Sequence, residues 1–197
     1  MKKGRIINDA GFSLIELIVA ILIMAIVGGA AIGAFNAILS TKTNAAAKTV
    51  QDSLKQTRIA ALGKENAEVE TSALGGTRTN IYAKFYILNG SIYVDVCSDK
   101  SGAEVVLNSS TVGSDNYTVD FCNASGSSIA TLGSSTSDMT VYVYFKKSTG
   151  GVSRLYYTRP GTSEKTNGCE MVKVTSPSGE TVDIILVTIT GRSYIDK

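Results

Sequence analysis

Glu16 is the only charged residue in an otherwise apolar run. Residues 11–34 read Gly-Phe-Ser-Leu-Ile-Glu-Leu-Ile-Val-Ala-Ile-Leu-Ile-Met-Ala-Ile-Val-Gly-Gly-Ala-Ala-Ile-Gly-Ala. A charged side chain at the centre of a bilayer costs about 2.5–3.5 kcal/mol on insertion scales, and less near the interface, so an acid there needs a cationic partner to offset the cost. Thiol chemistry is the next option, at Cys97, Cys122 and Cys169, but no pair has the C-x-x-C spacing of a redox or zinc site. Histidine is absent, which excludes histidine bases and histidine-bearing zinc sites. No Gly-x-Ser-x-Gly elbow or Walker loop occurs. Asp115, Asn116 and Asp120 are oxygen-bearing and close in sequence, yet match no calcium-loop spacing and read as solvated turn residues. The chain is expected to be no enzyme and to carry no cofactor and no metal.

The elements around Glu16 follow from charge and length. Lys2, Lys3 and Arg5 against Asp9 make residues 1–11 basic, and a basic flank stays cytoplasmic. Phe12–Phe35 would extend about 36 Å as a helix at ~1.5 Å per residue, enough for a ~30 Å hydrocarbon core. That is longer than the core of a secretory signal peptide. The leader carries all of the formal +2 charge, so the rest is neutral and no basic field argues for nucleic acid.

Past the apolar run, Phe35, Leu39, Ala46, Val50, Leu54 and Ala61 recur at helical spacing, with Asn36, Lys42, Lys48, Asp52, Lys55 and Arg58 between them. No proline interrupts residues 12–63, and Gly63 is a natural stop. From residue 80 the pattern alternates. Ile81–Leu88 and Ser91–Cys97 flank Asn89-Gly90, a type I′ turn pair. Met139–Phe145 with Val152–Thr158, and Cys169–Thr175 with Thr181–Thr190, predict two more hairpins. Residues 108–138, rich in Ser, Gly, Thr and Asn, read as a variable loop with one short strand at Tyr117–Cys122. Most tyrosines fall in predicted strands, where sheet packing accounts for them.

The fold class expected is α+β. A long N-terminal helix, membrane-spanning in its first half and amphipathic in its second, packs on an antiparallel β-sheet head. The divisions are a leader at 1–11, a span at 12–35, a helical continuation at 36–68 and a head at 69–197.

Gly11-Phe12-Ser13-Leu14-Ile15-Glu16, after a basic leader, resembles the class III signal of type IV pilins and type II secretion pseudopilins. The resemblance implies that a prepilin peptidase cuts between Gly11 and Phe12 and that Phe12 is then N-methylated. It also implies that Glu16, fifth in the mature chain, meets the Phe12 amine of a neighbouring subunit. Within one subunit a Glu four residues on is badly placed for that amine; between subunits the pairing removes two charge penalties and sets the axial register. Partners implied are other pilin subunits, the peptidase, the assembly machinery and, before assembly, membrane lipid. The implied location is a single-pass membrane protein, N-terminus inside, which then joins an extracellular filament. The alternative is a pseudopilin of a secretion or competence pseudopilus.

Two departures from the family pattern bear on this. Many pilins have Pro near the 22nd mature residue, where this chain has Gly33, just after Gly28-Gly29. These small residues make either a weakened helical segment or a close-packing face. Family members often carry one disulfide near the C-terminus; here any two of Cys97, Cys122 and Cys169 could form it, or a reducing habitat could leave all three free. Thr190-Gly191-Arg192 also resembles the end of the minor-pilin and pseudopilin group with a two-sheet head.

Overall fold

A computed structural model describes residues 13–63, 79–100, 103–136, 138–159, 161–166 and 168–196, without the side chains of 30–36, 79, 100 and 162–166. Two units result, Met1–Leu39 and Ser40–Lys197. Helix α1, Leu14–Gly63, contributes to both and continues through Gly28, Gly29 and Gly33. A Cβ on Gly28 or Gly29 would meet nothing within 4 Å. Among the described residues no helix is long and apolar enough to cross a membrane. Residue 12 and side chains 30–35 of the expected span lie outside the described set, as do leader residues 1–11 and residues 64–78.

In the second unit the expected α+β class holds, with the helix against antiparallel sheets rather than one sheet. The first sheet contains β1 (Thr79–Leu88), β2 (Ser91–Lys100), β3 (Ala103–Ser114), β6 (Thr140–Phe145), β7 (Val152–Arg159) and β8 (Thr162–Thr166), in the order β3-β2-β1-β6-β7-β8. The second contains β4 (Thr118–Cys122), β5 (Ser128–Leu132), β9 (Met171–Thr175), β10 (Thr181–Val187) and β11 (Arg192–Asp196), in the order β11-β10-β9-β4-β5. Asn89 and Gly90 both have positive φ, 51° and 71°, which matches the right-handed twist of the β1–β2 hairpin.

Period-two alternation places the core. Val141, Val143 and Phe145 are buried in β6, Val172 and Val174 in β9, Val182, Ile184 and Leu186 in β10. Phe85 of β1 and Phe121 of β4 meet edge-to-face across the two sheets, 5.0 Å apart at 72°. The helix buries Ala46, Ala47, Val50, Leu54 and Ala61 in the same cluster. Polar side chains on the helix tie it to both sheets. Gln51 Nε2 donates to the Ser193 carbonyl of β11 at 3.1 Å, and Asn108 Nδ2 of β3 donates to Gln56 Oε1 at 2.5 Å. Thr57, fully buried, donates its hydroxyl to the Ser53 carbonyl at 2.7 Å, which satisfies it within the helix.

Two sequence expectations are corrected. Residues 108–138 are not a loop with one strand: the end of β3, all of β4 and β5, and a short 3₁₀ turn at Ser134–Thr136 lie there. The expected short strand is β4; β5 and the end of β3 were hidden because Ser, Thr and Gly are frequent in them. Asp120 accepts hydrogen bonds from the hydroxyls of Thr131 and Ser128, while Val119, Phe121, Ala130 and Leu132 face the core. The strand expected at Thr181–Thr190 ends at Val187, where the Thr190 and Gly191 amides turn back onto the Val187 carbonyl at 3.1 and 2.6 Å and β11 begins.

Candidate functional site

The start of α1 is built by Ser13 and Glu16. Ser13 receives the amides of Glu16 and Leu17 on its carbonyl, at 3.0 and 3.2 Å, and the amide of Ile15 on its Oγ, at 3.3 Å. Its own amide donates to Glu16 Oε2 at 3.0 Å. This is a capping box: the N-cap hydroxyl takes an orphan amide of the first turn, and the acid three residues on takes the N-cap amide. The negative carboxylate also sits favourably at the positive end of the helix dipole. Sequence reasoning weighed Glu16 only against an intermolecular amine and missed the box, although Ser-x-x-Glu before an apolar run is its signature. Gly11 and Phe12 lie outside the described residues.

Beyond the box, every large aliphatic side chain from Leu14 to Val27 is exposed, between 46 and 76 %. They occupy all sides of the helix, so covering one face would still leave the others bare; such a surface suits lipid or a bundle of like helices.

The three cysteines do not form a reactive site. Cys97 in β2, Cys122 at the end of β4 and Cys169 before β9 are buried free thiols, so no two of them form the disulfide that the sequence left open. Burial, ahead of the charges of Glu104 and Asp95, pushes the Cys97 thiol up to about 12. Burial likewise pushes Cys169 up to about 12, and raises Cys122. Thiolate, the nucleophilic form, is scarce at neutral pH in such surroundings.

The outer face of the first sheet carries a second polar cluster. The Tyr82 ring meets Tyr142 edge-on and Tyr144 at a tilt across β1 and β6, and Arg154 lies 4.3 Å over the Tyr144 ring. Glu104, from edge strand β3, accepts Lys84 Nζ and the Tyr82 hydroxyl, both at 2.7 Å. Burial works against the Glu104 carboxylate, yet these two donors and the Lys84 charge hold it below its ordinary 4.5. Burial likewise works against the Lys84 cation, and the Glu104 bond and charge raise it above 10.5 regardless. The Lys84 contribution to stability is therefore present below pH 10.5 and fades as pH rises through its folded value. The Glu104 contribution is present above pH 4.5 and fades as pH falls through its folded value. Glu104→Gln should cost about 1 kcal/mol at pH 7, a moderate figure because the pair is partly solvated. Thermal melts of both proteins should converge as the pH drops below 4.5. A constant gap down to strong acid would mean packing, not charge, holds this cluster.

Asp115 lies in the turn before β4, its amide on the Gly90 carbonyl at 2.9 Å, whereas Asp120 sits within β4 on Thr131 and Ser128. Among the described residues no three His, Cys, Asp or Glu side chains are placed to hold a metal.

Residues 7–32 match the family described as the prokaryotic N-terminal methylation motif. The match spans Gly11, Phe12 and the whole Ser13–Glu16 box. No curated protein and no solved structure matches the chain.

Proposed function

We propose, from the type IV pilin and pseudopilin class III signal that residues 7–32 carry, that this chain is a prepilin: a structural subunit of a type IV pilus-class filament. Its role is assembly rather than catalysis. The motif supports processing by a prepilin peptidase and association with other pilins. The precursor sits in the membrane with its N-terminus cytoplasmic, consistent with the basic leader, and moves to a surface filament once assembled. The observation that carries the reading is the N-terminal segment as a whole, a methylation motif leading into a helix with bare aliphatic side chains on every side. Lipid covers that surface before assembly and neighbouring helices cover it afterwards. Glu16 then pairs with the Phe12 amine of the adjoining subunit.

Mass spectrometry of the protein from its native membranes tests this. The expected mature chain has lost residues 1–11 and gained one methyl group on Phe12. An intact leader, or a cut near Ala31–Ala34, would overturn the reading.

A second reading, a pseudopilin of a secretion or competence pseudopilus, shares one feature with the minor-pilin form of the first. The head has two sheets, and Thr190-Gly191-Arg192 leads into its last strand, as in the group that the C-terminal tripeptide resembles. Imaging fibres on cells that carry a tagged copy separates the two: long surface fibres support the pilus, and a tag retained in the envelope supports the pseudopilus.

A further inference from the structure

Asn-x-Ser/Thr is the triplet at which a saccharide is transferred to an Asn amide. The head carries it at Asn89-Gly90-Ser91, Asn108-Ser109-Ser110, Asn116-Tyr117-Thr118 and Asn123-Ala124-Ser125. In a head rich in Ser and Thr such triplets arise by chance, and the fold separates them. An acceptor has to offer a free amide nitrogen at the surface, with a free hydroxyl two residues on for a transferase to read. Asn89 is held in the left-handed turn of the β1–β2 hairpin at φ 51°, and Ser91 is paired on both sides, with Leu88 and with Ser114. Asn108 spends its Nδ2 on Gln56 Oε1 at 2.5 Å. Asn123 accepts the Ser125 amide, the Ser125 hydroxyl and the Ser127 amide on its Oδ1, at 3.1, 2.7 and 3.0 Å. The hydroxyl of that triplet is thus tied into the β4–β5 turn.

Asn116 differs. It is exposed in the turn from β3 to β4, which the Tyr117 amide closes by donating to the Ser114 carbonyl at 3.1 Å. Among the described residues neither the Asn116 amide nor the Thr118 hydroxyl has a hydrogen-bond partner. Thr118 pairs on one side only, with Thr175. The backbone of Asn116 is not left-handed, so the turn does not call for Asn on that ground. The Asp115 amide, on the Gly90 carbonyl at 2.9 Å, anchors the turn to the neighbouring hairpin, so the triplet stands on a fixed base.

We infer that Asn116 is an N-glycosylation site: its Nδ2 bonds to the anomeric carbon of a saccharide carried on a lipid diphosphate. The bond from that carbon to the carrier oxygen breaks, the diphosphate leaves with the electron pair, and the amide gives up one proton. The inference rests on the pilin-class reading only in needing the head outside the membrane. A bulky, hydrated glycan at this position covers the β3–β4 turn and the β1–β2 turn beside it.

The test is mass spectrometry of the full chain purified from its native cells, with wild type beside Asn116→Gln, Thr118→Ala and Thr118→Ser. The wild-type mass should exceed that of the polypeptide by whole sugar residues, and fragmentation should map the increment to Asn116. Asn116→Gln should lose the increment completely. Thr118→Ala should lose it too, although the acceptor amide is still in place, because the hydroxyl two residues on is gone. Thr118→Ser, which keeps a hydroxyl, should retain it. A wild-type chain at the bare polypeptide mass would overturn the inference. So would an increment that survives Asn116→Gln or Thr118→Ala, one that disappears in Thr118→Ser, or one that maps to Asn89, Asn108 or Asn123 in place of Asn116. The leader is read in the same spectrum. A chain that keeps residues 1–11 yet carries the glycan would sink the pilin-class reading and leave the site standing; a trimmed chain without glycan would do the reverse.

Discussion

Cells whose only copy carries Glu16→Val should hold wild-type amounts of processed protein in their membranes and make no fibres. The substitution removes an acid from an apolar run, so by insertion energetics the membrane step is unharmed or improved. It also opens the capping box, because Val offers no acceptor to the Ser13 amide. That loss costs about 0.5–2 kcal/mol of helix start, which is tolerable in a helix of 50 residues. Assembly is different. The Phe12 amine of each subunit would enter the filament with no carboxylate to meet, and leaving one partner of a buried charge pair alone costs about 3–5 kcal/mol. Repeated at every subunit, that penalty stops growth. Mixed expression with wild type should give partial incorporation, since each variant subunit spoils one neighbour contact. Electron microscopy of sheared fibres, with immunoblots of the membrane fraction, makes the measurement. Abundant fibres from the variant alone would show that the amine finds water or lipid phosphate and that charge pairing does not drive assembly.

Gly191→Ala should be the most destabilising single methyl in the head. Gly191 has φ +63°, and a Cβ there would be driven into the Gly150 carbonyl, with the Phe145 ring also within 3.2 Å. Gly151, in the turn between β6 and β7, is confined in return: its Cβ would lie 2.5 Å from the carbonyls of both Thr188 and Ile189. Two backbone turns, one from each sheet, thus approach with no side chain between them. Arg58 of α1 seals the contact, its Nε donating to the Thr190 carbonyl at 2.6 Å while its Cγ lies 3.0 Å from where a Gly150 Cβ would be. Because the obstacles at Gly191 are backbone atoms and not flexible side-chain ends, the turns must separate. A left-handed alanine costs about 1–2 kcal/mol and forced overpacking about 1–3 kcal/mol more. Gly179→Ala is the control: φ is +85° there too, but nothing lies within 4 Å, so only the backbone cost of about 1–2 kcal/mol applies. Denaturant melts of the full-length chain in detergent micelles compare the two. Equal losses for both glycines would show that the turns yield easily and that the contact does not hold the sheets together.

Much of the strand arrangement was legible because its signals are local. Asn89-Gly90 between alternating segments identified the β1–β2 hairpin, and its positive φ values are those that the dipeptide favours. Ala46, Val50, Leu54 and Ala61 lie in the core, as their spacing predicts. The misreadings have a common cause. β4 was expected, but Ser128 and Thr131 make β5 resemble loop as composition; only its pairing to β4 and the burial of Ala130 and Leu132 show that it is a core strand. The split of Thr181–Thr190 into strand and turn depends on Gly191, whose left-handed backbone is matched to a contact with Gly150, 41 positions earlier.

The sequence by itself determined the N-terminal chemistry: the methylation motif, the lone acid Glu16 and the Ser-x-x-Glu box are all set by residues within a few positions of one another, so no fold is needed to bring them together. Helix and hairpin identities belong with them, because backbone preference and period act over single turns. Tertiary structure decided the rest. Strand order in two sheets, the buried thiol state of Cys97, Cys122 and Cys169, and the Tyr82–Glu104–Lys84 cluster all join positions distant along the chain. Alternating strands of similar pattern can pair in many orders at similar local energy. What selects one order is the packing of particular shapes across sheets and helix, such as Phe85 on Phe121 or two glycine turns under Arg58, and that complementarity exists only once the chain has folded.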